Sequence, residues 1–300
     1  FNRFRKLPAI FWAILASIFG IADFLTWSIL ADIEPRERVL WTSGIIVFVF
    51  ILTLIVVIKT PTTDEKIASA RILYKTARDT FENKHYFEAE KFLIEAVKLD
   101  GTSVAILGLL GRTMMRIGNF QEAFPELKKA IESTFFPANR VIFLNNRGIC
   151  FLMLGQYGRA LEDFSESLKE SPSHRMALRL RATTWLFLES PSNALKDINL
   201  VLKERPKYLC GHATKAVILF TVGDFESAER ELTLCEKLQP NDADEFYCIS
   251  FAYGKLREID RVIQSLNIAI LQDSKYKARA VFDPFFSHLR TDPRFQSIIA

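Results

Sequence analysis

The polar and apolar positions of this chain follow two regimes. Near the start lie two almost unbroken apolar runs. Leu7 to Leu30 reads "LPAIFWAILASIFGIADFLTWSIL", with Asp23 as its only charge, and Val39 to Ile58 reads "VLWTSGIIVFVFILTLIVVI", with none. At 1.5 Å per residue each is long enough for a hydrocarbon layer of about 30 Å. After residue 65 the pattern changes to short amphipathic stretches that repeat. An alanine, once a valine, recurs at Ala89, Ala123, Ala160, Ala194, Ala228 and Val262, in steps of 34, 37, 34, 34 and 34 residues. Four positions after each comes a large apolar residue: Leu93, Leu127, Phe164, Ile198, Leu232 and Leu266. Twelve positions before each comes a small one: Ala77, Gly111, Gly148, Ala182, Ala216 and Ser250.

This spacing predicts pairs of antiparallel helices. A small residue in the first helix of a pair admits the second at close range, the alanine of the second reciprocates, and the large residue one turn later fills the space between them. Gly118, Gly155 and Gly223 fall where a first helix should end, a position suited to a left-handed cap. Pro191 stands at the start of a second helix, and Pro172, Pro206 and Pro240 close three units. Lys84 and Arg257 stand where glycine is usual, and unit four has "LESPSNA" there instead. Pro125 lies inside a second helix and is expected to bend it. Three extra residues near "TFFPAN" lengthen the turn between units two and three.

Six such units over residues 61–274 resemble the tetratricopeptide repeat (TPR) family, with unit three the closest match. The resemblance implies an all-α fold, a right-handed helical solenoid of TPR type, here preceded by a transmembrane hairpin. Residues 275–300 contain Asp283-Pro284 and Asp292-Pro293, each a helix N-cap followed by proline. They resemble the tails that close many such arrays, and a solenoid needs a terminal cap over its last apolar face.

Residues 1–60 are expected to anchor the chain in a membrane through helices at about 7–30 and 39–58. Trp27 and Trp41 flank the short link "ADIEPRER", and both ends of the hairpin then lie on one side. Arg3, Arg5 and Lys6 precede the hairpin and Lys59, Lys66, Arg71, Lys75 and Arg78 follow it, against Arg36 and Arg38 in the link. The positive-inside rule places both termini and the repeats in the cytoplasm. Ala9, Ala13 and Ser17, with Ala16 and Gly20 beside them, form a small-residue face for the second span or for self-association with another copy. Asp23 is expected near the outer interface, and an ion path is its other reading.

Charge and chemistry narrow the function by exclusion. The net charge is +4, and residues 61–300 hold 33 Lys and Arg against 31 Asp and Glu, which argues against nucleic acid as a partner. Cys150, Cys210, Cys235 and Cys248 fit no zinc spacing and read as small buried hydrophobes. The four histidines, His85, His174, His212 and His288, are scattered. No phosphate loop, dinucleotide fingerprint or nucleophile elbow occurs, so neither an enzyme nor a cofactor is expected. Glu162–Asp163 and Asp242–Asp244–Glu245 read as solvated faces or helix-start acids.

Function is therefore expected from surface. In the resembled family the first helices line a concave groove that holds a peptide or a partner helix. Position by position, the groove presents Arg71, Lys75 and Arg78, then Arg112 and Arg116, then Asn145 and Asn146, then Arg179. Asn146 matches the family's backbone-holding asparagine. The rest of the family's carboxylate clamp is missing, since Gly108, Arg112, Met176 and Leu180 occupy its places, so a chaperone tail is not indicated. The i, i+4, i+7 spacing of Arg71, Lys75 and Arg78 and the i, i+4 spacing of Arg112 and Arg116 point to an acidic protein segment. The same cations also suit a solvated face or anionic lipid headgroups. The leading reading is a membrane-anchored scaffold that recruits a protein partner. The alternatives are an assembly or maturation factor with its repeats on the extracytoplasmic side, and a two-helix membrane effector with a repeat sensor domain.

Overall fold

The computed structural model describes residues 62–300, together with Val47, Phe48 and Ile51. The expected spans at 7–30 and 39–58, Asp23 and the small-residue face fall outside the described residues, those three positions apart. Among the described residues no helix is long and apolar enough to cross a membrane. The chain divides into two compact units, Phe1–Lys66 and Ile67–Ala300, and the second carries the repeats.

Helices follow one another in pairs: α1 (Thr63–Glu82) with α2 (Tyr86–Leu99), α3 (Val104–Ile117) with α4 (Phe120–Ser133), α5 (Pro137–Met153) with α6 (Tyr157–Glu170), α7 (Arg175–Phe187) with α8 (Pro191–Glu204), α9 (Leu209–Val222) with α10 (Phe225–Leu238), and α11 (Ala243–Lys255) with α12 (Ile259–Gln272). The tail adds α13 (Lys275–Phe282), a 3-10 turn (Pro284–Leu289) and α14 (Pro293–Ile299). No strand occurs among the described residues. The fold is an all-α solenoid of TPR type.

Local chemistry sets the ends. Thr62 and Glu65 form a reciprocal capping box at α1, the backbone N–H of each donating to the other's side chain at 2.8 and 3.3 Å. Asp283 and Asp292 accept from the N–H of Phe285 and Arg294 at 3.0 and 2.8 Å, each ahead of a proline in the first turn. Gly118, Gly155 and Gly223 have φ of 97°, 71° and 83°. The residues at the same point of the other three units, Lys84, Glu189 and Arg257, take φ of 65°, 54° and 61°. The turn between paired helices is thus left-handed in every unit, whatever residue stands there. Helix α4 runs on through Pro125.

The small, alanine and large positions read from the sequence are all buried, fifteen of the eighteen with no exposed surface, Leu232 with 5%, and Gly111 and Gly148 among the buried residues of their helices. Gly148 shows why the small residue matters, for a Cβ there would lie 2.6 Å from the Phe164 ring.

The tail covers the last apolar face. Phe286 packs edge-on to Tyr247 at a centroid separation of 5.7 Å and lies 5.9 Å from Phe295, both partners being fully buried. It also reaches back across the array. Helix α13 packs against α3, four units away in the chain. Phe282 meets Phe120 edge-on at 5.3 Å, and Arg116 pairs with Asp273 at 2.5 Å. Phe285 lies 4.8 Å from Phe187 of α7. The solenoid therefore closes on itself, and its inner face becomes a lumen rather than an open groove.

Candidate functional site

Two cavities lie along the first helices of the early units. The outer one is a trough of about 510 Å³ walled by α1, α3, α5 and the long turn before α5. Arg78 and Arg112 line it together with Tyr74, Leu109 and Phe143. On its rim the extra residues between units two and three display Phe135, 95% exposed, and Phe136, 70% exposed. Two phenyl rings so placed are costly to leave in water unless something covers them. Gly108 keeps the trough floor low, since a Cβ there would sit 2.5 Å from the Phe143 ring.

The inner cavity, of about 310 Å³, lies in the lumen, with α3, α5 and α7 on one side and α11 and α13 on the other. Arg112, Arg116 and Arg179 line the first side, and Lys275, Arg279 and Asp244 the second. Burial by itself would raise the Asp244 carboxyl, but Arg179 and Arg279 outweigh it and hold the group below its usual range. The Tyr276 hydroxyl donates to Asp244 at 2.8 Å.

The predicted groove residues separate into distinct surroundings. Arg71, Lys75 and Arg78 are exposed on α1 and make no ion pair among the described residues, but Arg78 alone of the three lines the trough. Arg112 stands between the two cavities, with its guanidinium 5.1 Å from the Phe81 ring centroid. Arg116 is half-buried and tied to Asp273. Asn146 lines the lumen. Its neighbour Asn145 lines neither cavity: it is 3% exposed, and its amide lies 3.4 Å from His174 Nδ1 in the next unit. Arg179 faces the lumen but is 4% exposed, so it is not on an open surface. The sequence placed these eight on one concavity; closure by α13 and the helix rotation at Asn145 divide them.

Two acids read as solvated are engaged inside the fold, Asp163 buried and Asp244 half-buried. Asp163 accepts both ends of Arg147 at 2.9 and 2.6 Å between α5 and α6. One unit later Arg181 and Asp197 do the same at 2.8 and 2.7 Å, and one unit after that Lys215 meets Glu231 at 2.6 Å. Such pairs are geometric staples between paired helices. A signal existed: a base precedes the small residue and an acid precedes the large residue in units three, four and five. Asp244 likewise serves the lumen. Asp242 does cap a helix, accepting from the N–H of Glu245 at 2.9 Å.

All four cysteines are buried and unbridged. Cys210, Asp244 and Cys248 bring ligand atoms within 4.8 Å of one another, the one such group among the described residues. Burial pushes the Cys210 thiol well up, and Asp244 is held by Tyr276 with Arg179 at 3.8 Å. A raised Cys210 thiol beside an arginine forms part of a packed core rather than a cation site.

No protein-family model matches this chain. Among solved structures it is similar to a tetratricopeptide repeat protein from Parabacteroides merdae, with a TM-score of 0.55 and 20% identity, covering 77% of this chain and 98% of that one. It is also similar to MamA from Desulfovibrio magneticus, with a TM-score of 0.52 and 16% identity over 57% of this chain and 94% of that one. Among curated proteins it is 22% identical over 191 residues to mouse trafficking protein particle complex subunit 12, covering 61% of this chain and 24% of that protein. It is 21% identical over 194 residues to Arabidopsis thaliana Hsp70-Hsp90 organizing protein 2, covering 63% of this chain and 32% of that protein. The matched part thus spans a quarter to a third of these relatives. The chain is a TPR-like helical-repeat protein.

Proposed function

We propose that this protein is a non-enzymatic, membrane-anchored scaffold that captures an acidic protein segment bearing an apolar side chain, in the trough of units one to three. The observation that carries the reading is the trough itself: Arg78 and Arg112 supply charge beside the exposed rings of Phe135 and Phe136. Cations beside a desolvating aromatic rim suit a ligand with carboxylates flanking an apolar anchor, the charges speeding encounter and the rings supplying buried area. The curated relatives, one named as a subunit of a complex and one as an organizing protein, are consistent with a scaffold. The anchoring and the cytoplasmic placement rest on the apolar runs and the Lys/Arg asymmetry of residues 1–78.

The test compares wild type with an Arg78→Glu/Phe136→Ser variant in capture of partners from detergent-solubilised membranes. Partners that are lost in the variant, and from the wild type at high salt, support the trough. Recovery of the same partners by both proteins refutes it. A C-terminal alkaline phosphatase fusion is expected to be inactive; an active one assigns the repeats to the extracytoplasmic side.

A further inference from the structure

Two residues that line the lumen, Arg179 and Arg279, each carry a buried guanidinium Nε with no acceptor. Native proteins rarely leave buried charged donors unpartnered, because the lost hydration is not replaced. The carboxylates nearby are already engaged. Asp244 accepts from Tyr276 and lies 3.8 Å from Arg179, while Asp273 holds Arg116 and Lys275 at 2.5 and 3.0 Å. Arg112 and Arg279 make no ion pair among the described residues and rest against aromatic rings instead. Five cations thus line a cavity with one carboxylate in its wall and two beside it, Asp273 on Arg116 and Lys275 and the buried Asp283 acting on Arg279, an excess of two positive charges.

That charge excludes a metal cation and calls for an anion. The cavity of about 310 Å³ has room for about ten waters at roughly 30 Å³ each. It falls at the small end of the range for ligand pockets. Arginine forks suit planar or tetrahedral oxyanions, and the walls also offer the Asn146 side chain and the apolar Met115 and Met176. We propose that the lumen binds a compact organic polyanion, a phosphate monoester or polycarboxylate of roughly ten to fifteen non-hydrogen atoms. The ligand takes its hydrogen bonds from both sides of the closure, from Arg179 on α7 and from Lys275 and Arg279 on α13, so its binding fastens the tail to the inner face. This site shares Arg112 with the trough but takes its ligand on the other side, from residues the trough does not use, and does not depend on the proposed scaffold role.

The test is isothermal titration of the purified full chain with citrate and, separately, with glycerol 3-phosphate, at constant ionic strength set with sodium chloride. One of the two is expected to bind one-to-one with a Kd below about 1 mM and to raise the thermal midpoint with concentration. Arg279→Gln and Lys275→Gln should each weaken binding by about tenfold or more, with helical content checked by circular dichroism. Arg78→Glu, which disables the trough, should leave anion binding unchanged, and Lys275→Gln should leave partner capture unchanged. The proposal is overturned if neither probe binds saturably to the wild type above the chloride control. It is equally overturned if a folded Lys275→Gln or Arg279→Gln protein binds as tightly as the wild type.

Discussion

Gly148 and Phe164 form one of the two glycine versions of the small–large pair, and substituting either tests how the repeat is packed. A Cβ at position 148 would lie 2.6, 2.9 and 3.0 Å from Cε1, Cζ and Cδ1 of Phe164, where contacts near 3.5–4.0 Å are comfortable. The ring is fully buried and must yield by nearly an ångström. Overpacking of this kind costs about 1–3 kcal/mol, and the full ring edge involved points to the upper half of that range. Alanine is favoured over glycine inside a helix by about 1 kcal/mol. Gly148→Ala should therefore destabilise by about 1–2 kcal/mol net. Phe164→Leu alone should cost about 1–2 kcal/mol through the void it leaves. The double variant recreates the Ala77/Leu93 and Ala216/Leu232 pairs of units one and five, so it should lie well above the sum of the two losses. A coupling of about 1–2 kcal/mol is expected for side chains in contact. Gly158→Ala is the control, since a Cβ there meets nothing within 4 Å and the change should be neutral or mildly stabilising. Urea midpoints followed by far-ultraviolet circular dichroism report the series, with hydrogen exchange in α5 and α6 to localise the effect, because repeat arrays need not unfold in one step. Additive losses in the double variant, or a Gly148→Ala protein as stable as the wild type, would refute the packing argument.

Two further outcomes follow from backbone and charge. Lys84→Gly, Glu189→Gly and Arg257→Gly should each stabilise by about 0.5–1 kcal/mol, the left-handed strain of about 1–2 kcal/mol being partly offset by the looser unfolded chain; lower thermal midpoints in all three would show that their side chains hold the turn. His212 is buried, which by itself lowers its pKa, but Glu231 at 2.6 Å and the Pro206 carbonyl at 2.8 Å outweigh burial and raise it above the ordinary 6.5. A raised folded value means stabilisation fully present below 6.5 and lost as pH rises through the folded value. His212→Gln should accordingly cost more stability at pH 6 than at pH 8.5, and a pH-independent difference would refute the charged pair.

The repeat was legible because its determinants are local. Helix period, left-handed turns and the small–large pairing each involve residues no more than 16 apart, so a regular step of 34 exposes them. The bases Arg147, Arg181 and Lys215 with their acids obey the same register, yet their pairing is not legible in sequence, because a charged residue reads as solvated until its partner across the helix pair is known. Asn145 was misplaced for a related reason. Neighbouring asparagines on a helix point about 100° apart, and which one meets the groove depends on the rotation of α5 against α7.

By itself, then, the sequence determined what each unit is: two helices, a left-handed turn, a small residue facing a large one, and a tail with two proline-marked caps. The closure belongs to the tertiary structure alone. Arg116 meets Asp273 across 157 residues of chain, and Phe120 meets Phe282, only because small rotations between successive units accumulate until α13 arrives opposite α3. Each rotation depends on the shape of a whole interface, including the three extra residues between units two and three, and no short stretch of sequence encodes their sum. That sum separates an outer trough from an inner lumen, and turns Arg179 from a groove-side charge into a buried one that shares a cavity with Lys275 and Arg279 of the tail.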